Sequence, residues 1–441
     1  MVKIKVIDAI CGAGKTSYAI QMMNENTKVK SIGLETGILY RSNKKYIYVT
    51  PFLDEVTRVI NDTKAIFSEP NVKYRGSKLE HLKFLIENGE SIVMTHVLFS
   101  MLDEETLDDI RNEGYTLIMD EVANVLEQLI TTSNDINYLL KLNAISIEEK
   151  GKVRWIDDEY NKNLNNSFDY LRDLADTDNL YIYNEQAMFW TMNVKAFTSF
   201  EEVYILTYLF DGQIQKYYYD LHEVEYEKYS VKYENNKYHL INYDSKADKR
   251  EEVAKLLNIY EDYQHETGRK STLNSNYDDF RLNVNTDFYL STTWFNKAQE
   301  CNTKRLNKNL YNYFRTQVPT KNENIFWTTK KQYASILKNA KTKFNKKDDR
   351  TKDNFISLNI RATNNYSHCT ATAYVYNRFM NPMEKGFFEV RGIEVNENLL
   401  AVSDLVQFLF RGCIRNGEVM NCYIPSSRMR NLLYKWMNYE I

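Results

Sequence analysis

Apolar residues recur along this chain with two periods, and their alternation sets the expected fold. Residues 3–9 alternate and then run apolar, as a strand does, and lead into a glycine turn followed by helical spacing from 16 to 23. Residues 46–50 form a second β-type run, stopped by Pro51. Residues 79–87 read as a helix, 91–94 as a strand, and 116–119 as a short apolar run ending on Asp120 and Glu121. Strands alternating with helices predict a parallel, doubly wound sheet. Residues 203–206 would add one more strand to it.

Elsewhere the pattern changes. Residues 140–195 are polar, aromatic and helix-leaning, and read as an insertion. Between 217 and 243 a tyrosine-rich alternation predicts antiparallel strands. A second α/β region opens near 285, with strand-like runs at 288–290, 325–327, 355–359 and 372–376. The expected class is therefore α/β, with two doubly wound parallel-sheet domains and a helical and Tyr-rich β insertion. The domains would cover 1–212 (with the helical insertion at 140–195) and 285–441, joined by an insertion or linker over 213–284.

Composition narrows the class. With 441 residues, 43% hydrophobic and 27% charged, the chain can bury a core and is not a disordered tail. No stretch approaches the ~18 apolar residues of a membrane span, and the N-terminus lacks the apolar run of a signal peptide. Five cysteines without a CxxC pair point to a reducing compartment, and a cytoplasmic location is expected. The net charge of −3 conceals an asymmetry: residues 101–150 hold twelve acidic against three basic residues, whereas 301–350 hold thirteen basic against three acidic. The basic segment also carries Tyr311, Tyr313, Phe314, Phe326, Trp327, Tyr333 and Phe344. Cations neutralise phosphates and aromatic faces stack bases, so this mixture suits a path for nucleic acid.

Three motifs carry candidate chemistry. Residues 9–17 (Ala-Ile-Cys-Gly-Ala-Gly-Lys-Thr-Ser) lie between a predicted strand and a helix, the context of a phosphate-binding loop. Gly12 and Gly14 would let the loop, with Ala13 and Ser17, wrap its amides around phosphate, while Lys15 bridges the β- and γ-phosphates of ATP and Thr16 ligates Mg²⁺. Asp120 would hold Mg²⁺ through water, and Glu121 would polarise the water attacking the γ-phosphate. Near the C-terminus Gln407, Arg411 and Arg415 would share one helical face at about 100° per residue. There the two arginines could reach a γ-phosphate as arginine fingers do.

In this order the motifs resemble those of superfamily 2 DNA/RNA helicases of the compact, phage-encoded kind. Residues 9–16 resemble helicase motif I and residues 120–123 (Asp-Glu-Val-Ala) the DExx motif II. Residues 50–53 with Glu55 resemble motif Ia, 94–96 motif Ic, 205–210 motif III, 325–329 motif IV, 361–364 motif V, and Gln407, Arg411 and Arg415 motif VI. Two departures stand out: motif III has Tyr208-Leu209 where the family has Ala-Thr, and the second arginine of motif VI lies eight residues after the glutamine instead of seven. The resemblance implies two RecA-like domains closing on ATP and an ATP-driven helicase or translocase acting on DNA rather than RNA. Thr95, Thr328, Lys330 and Lys331 would touch nucleic acid, replication or recombination proteins would be partners, and the location would be the bacterial host cytoplasm.

Two other readings stay open. A phage DNA-packaging, terminase-like ATPase shares the first two motifs but needs a metal-binding carboxylate cluster in its second half. There Asp348 and Asp349 stand among lysines, and Asp404 precedes the arginine segment. A DNA-translocating regulator that does not unwind would use the same motifs.

Overall fold

Burial on both faces explains the apolar strands: all six residues of Tyr115–Asp120 are buried, as are the last five of Lys45–Thr50. The computed structural model describes all residues except 1, 34–36, 52, 75, 157–167, 265–268, 277–278, 284, 343–353 and 359–364. The chain divides into two units. The first comprises Met1–Ala9, Gly14–Tyr243 and Met380–Asn396; the second comprises Ile10–Ala13, Asp244–Phe379 and Glu397–Ile441. The stretch 213–284 is thus no separate linker, because its first part packs into one unit and the rest into the other.

In the first unit eight strands form one sheet, in the order Lys237–Asn242, Glu227–Glu234, Lys3–Asp8, Glu202–Thr207, Tyr115–Asp120, Lys45–Thr50, Ser91–Thr95 and Phe67–Ser68. Every neighbouring pair is parallel except the hairpin of the first two. From Lys3–Asp8 the chain passes over two sheet positions, those of Glu202–Thr207 and Tyr115–Asp120, before entering Lys45–Thr50. Such a reversal opens a crevice at the carboxyl edge of a doubly wound sheet. Register aligns that edge, with Asp8 opposite Thr207 and Leu206 opposite Asp120.

Two expectations for this unit need correction. Tyr217, Tyr218 and Tyr219 lie in the helix Ile214–Leu221 and not in a strand. Their rings point to different sides of the helix and all find partners: Phe388 for Tyr217, Phe197 and His222 for Tyr218, Phe197 and Phe210 for Tyr219. Antiparallel pairing begins only at Glu227. The insertion is also not purely helical. Within 140–195 lie the helix Asp169–Asp176, a hairpin of Ile145–Ile147 and Val153–Trp155, and the strands Leu180–Tyr183 and Ala187–Thr191, which Leu126–Gln128 just before it extends to a three-stranded sheet.

The second unit is built on four parallel strands in the order Leu257–Ile259, Met420–Tyr423, Ala371–Tyr374 and Ile325–Thr328. Residues 288–290, expected as a strand, form a turn instead. The side-chain amide of Asn377 donates to the carbonyls of Asp287 and Tyr289, holding Leu290 at φ 65°. Of the expected run 355–359, Phe355 makes a single bridge to Trp327, and Asn359 lies outside the described residues.

One buried ionic network organises this unit. Arg250 is 2% exposed, with its Nε 3.4 Å from an Asp248 carboxylate oxygen. Its Nη1 donates to the main-chain oxygens of Trp436 at 3.1 Å and Ile441 at 2.6 Å. The guanidinium also lies over the rings of Trp436 and Tyr439. Asp248 in turn accepts from the Ile10 amide at 3.1 Å. Breaking a buried pair by removing one partner costs about 3–5 kcal/mol, because a charge stays behind without compensation. Arg250→Met should therefore lower stability by about that much, and the double variant with Asp248→Asn should lose less than the sum of the singles. Denaturant unfolding of the four proteins checks this.

Candidate functional site at the sheet edge

The strand Lys3–Asp8 delivers the chain to a loop whose backbone only glycine adopts cheaply: Gly12 has φ 85° and Gly14 φ 93°. Gly14 is the N-cap of the helix Lys15–Glu25, which has no side-chain cap, so its first amides face the loop. A Cβ on Gly14 would stand 2.1 Å from the Tyr238 ring, so the position is closed to larger residues twice over. The uncapped helix N-terminus is a ready anion site, while the Ala13 amide donates to the Ile10 carbonyl at 3.1 Å. The Lys15 ammonium folds back onto the Ala9 carbonyl, 2.5 Å away. Ala13, Thr16 and Ser17 are partly exposed.

Within the first unit, Asp120 and Glu121 stand beside Lys15. Asp120 is 9% exposed, and burial, reinforced by the charges of Glu121 and Glu55, pushes its pKa up to about 7. Lys15 and Arg58 act in the opposite direction. Arg58 is itself paired with Glu55 at 2.7 Å. Beneath this group the Tyr48 phenol is fully buried, and burial with the nearby Asp120 and Glu55 carboxylates raises its pKa well above the usual value. The Asp120 carbonyl accepts a 2.8 Å hydrogen bond from His96 Nε2, so that histidine serves the main chain.

These residues fit a nucleotide phosphate with a divalent cation. Thr16 and Asp120 supply hard oxygen donors, burial beside Glu121 and Glu55 disfavours the charge on Asp120, and among the described residues the buried hydroxyls of Thr50 and Thr207 at the strand ends have no hydrogen-bond partner.

Glu121 has a further feature. Its backbone lies in the left-handed region at φ 66°, a conformation that costs a side chain other than Gly, Asn or Asp about 1–2 kcal/mol. Sequence reasoning missed this, and also missed Asp8. The Asp8 carboxylate accepts from the amides of Leu209 at 2.7 Å and Phe210 at 3.0 Å. Burial pushes its pKa up to about 6, against those amides and the Lys228 ammonium. The only sequence signal was an acid ending an apolar strand.

Other candidate residues do not assemble as expected. The helix Glu397–Leu409 ends before Arg411, and Gly412 starts a separate 3₁₀ turn, Cys413–Asn416, that holds Arg415. Gln407, Arg411 and Arg415 therefore do not share one helical face. Gln407 donates to Ser403 Oγ, Arg411 is buried against the Phe408 ring, and Arg415 is exposed. The helix stops because the amides of Arg411 and Gly412 turn back to Phe408 and Leu409.

The nucleic-acid candidates also divide. Thr328 is fully buried and donates to the Ile356 carbonyl at 2.6 Å, so the expected contact falls away. Thr95 caps the helix His96–Phe99, Lys330 is 3.3 Å from the Thr292 hydroxyl, and Lys331 is exposed. Of the aromatics in the basic segment, Tyr313, Phe314, Phe326, Trp327 and Tyr333 are core residues and not stacking platforms. Burying each such ring removes about 200 Å² from water, worth about 5 kcal/mol at ~25 cal/mol per Å². Residues 361–364 and Phe344 lie outside the described residues.

Fold and site together define a mixed α/β protein with parallel sheets and Rossmann-like units. Residues 126–190 match the family described as the YonV middle domain, and 251–437 that described as the YonV C-terminal Rossmann-like domain. Over 448 aligned residues the chain is 38% identical to the SPbeta prophage-derived uncharacterized protein YonV of Bacillus subtilis (strain 168), with 99% of each covered. It belongs to the YonV family. Among solved structures, it is similar in fold to the chain named XPD_APO, with a TM-score of 0.51 at 12% identity, covering 99% of this chain and 95% of that one. A second, XPD_Helicase, gives a TM-score of 0.48 at 12% identity, covering 99% and 94%. Among the described residues no helix is long and apolar enough to cross a membrane.

If the Glu121 backbone is strained, an αL-tolerant residue should relieve it. Glu121→Asn should raise the thermal midpoint by about 1–3 °C, corresponding to roughly 0.5–1 kcal/mol, and also removes a charge beside Asp120. A lowered midpoint in differential scanning calorimetry would contradict the strain.

Proposed function

We propose that this chain is an ATP-dependent motor on nucleic acid, a helicase or translocase acting on DNA. The observation that carries the reading is local to the first unit: Lys15, at the start of an uncapped helix, stands beside the buried Asp120, which ends a nearby strand and precedes Glu121. In this reading the loop amides and Lys15 bind the β- and γ-phosphates, and Thr16 and Asp120 hold the cation. Glu121 orients the attacking water and takes its proton. Mg²⁺, when bound, neutralises charge building on the phosphate oxygens. The order of motifs supports the helicase part, the two Rossmann-like units supply the architecture it needs, and the prophage-derived relative suits a role beside replication or recombination proteins.

Turnover tests the ATPase. Lys15→Ala should weaken ATP binding; Glu121→Gln should bind ATP as the parent does yet hydrolyse it at least about 100-fold more slowly. Parental hydrolysis by Glu121→Gln would refute its role as the base.

The DNA part is tested by salt. Affinity for single-stranded or duplex DNA should fall steeply between about 50 and 200 mM salt as phosphate contacts release counterions. Charge reversal at Lys330 and Lys331 should weaken binding to all sequences alike. Salt-independent affinity, read by fluorescence anisotropy, would count against the motor.

A further inference from the structure

The strained backbone of Glu121 raises the question of what holds it. Two hydrogen bonds flank it. On one side the Glu121 amide donates to the Leu206 carbonyl of the neighbouring strand at 2.9 Å. On the other, the Ala123 amide, two residues on, donates to Oε1 of Gln215 at 2.8 Å. Gln215 is fully buried on the helix Ile214–Leu221, and its own amide nitrogen is tied to the Tyr219 hydroxyl one turn on, also at 2.8 Å. Both hydrogen-bonding ends of this side chain are thus committed, which leaves Oε1 little freedom except towards Ala123.

Geometry rules out a mere packing role. A buried glutamine costs free energy unless both ends are satisfied, and an apolar side chain of the same length would fill the space. The acceptor faces the Ala123 amide, two residues past the left-handed glutamate and beyond the sheet ladder. The helix that carries it follows directly on the turn whose Leu209 and Phe210 amides are held by Asp8, the last residue of the strand before the phosphate loop. From Leu206 to Gln215, one short segment therefore grips the main chain on both sides of Glu121 and is itself anchored to the loop-bearing strand.

We infer that Gln215 is a positioning residue for Glu121: by holding the Ala123 amide it keeps the glutamate in its left-handed conformation, with its carboxylate aimed where the attacking water is to lie. This rests on the ATPase reading above and adds a residue to it.

The test is a double-mutant cycle. Gln215→Met keeps length and apolar bulk and removes the acceptor; it should lower kcat by about 10- to 100-fold while leaving the Kd for a fluorescent ATP analogue within twofold. Gln215→Glu keeps an acceptor for the Ala123 amide and should recover part of the loss. Combined with Glu121→Gln, Gln215→Met should cause no further loss, because a residue acting through Glu121 has nothing left to position. Additive losses, or a parental kcat in folded Gln215→Met, would overturn the inference while leaving the ATPase intact. Should Gln215→Met not fold, Tyr219→Phe, which frees the far end of Gln215, must show a smaller drop of the same kind in kcat; an unchanged kcat there is equally negative. Absence of ATP turnover in the parental chain would remove both readings.

Discussion

When a parallel strand leaves its sheet, the next main-chain amides lose their ladder partners, and in a buried crevice each must find another acceptor or cost about 1–3 kcal/mol. That constraint organises this protein. Three adjacent strands end at one edge, and each exit is answered by a specific acceptor. Asp8 takes the amides of Leu209 and Phe210, the Leu206 carbonyl takes that of Glu121, and Gln215 takes that of Ala123. The same rule acts on Ile10, whose amide is held by Asp248 and, through it, by Arg250. Side chains that look structural are thereby placed one bond away from residues with candidate chemistry.

Satisfying those amides permits strain and crowding of charge where the chemistry is proposed. Left-handed backbone at Glu121 and Leu209 is uphill for residues with a Cβ, and it persists because neighbouring hydrogen bonds over-determine it. Burial of Asp120 beside Glu121 and Glu55 is likewise unfavourable, and Lys15 and Arg58 offset part of it. The same edge therefore crowds carboxylates beside an uncapped helix N-terminus. The stabilising work is done elsewhere, in the apolar strands and the aromatic helix packed around the site.

In the second unit, charge and aromaticity separate instead of cooperating. Interleaved lysines and rings suggested one binding surface, yet the rings of Tyr313, Phe314, Phe326 and Trp327 are withdrawn into the core. Lysines remain outside because their charge is costly to bury, while a ring gains by leaving water. Lys331, for example, stays exposed outside that core.

The sequence alone determined what depends on local chain chemistry. It located the strands with continuous apolar runs, such as 115–120, because burial on both faces needs no polar residue. It located the glycine turn after the first strand, because Gly12 and Gly14 serve a backbone that other residues avoid. It also placed Asp120 and Glu121 at a strand end. It misjudged Tyr217 to Tyr219, since three consecutive rings fit either period and only their partners Phe388, Phe197 and Phe210 decide between them. It carried one helix past Leu409, where main-chain turns end it. Tertiary structure alone decided the roles of Asp8 and Gln215, whose partners lie 201 and 92 residues away. A hydrogen bond between distant segments leaves no periodicity behind, so an aspartate or a glutamine that holds a distant main chain looks, in the sequence, like any other polar residue.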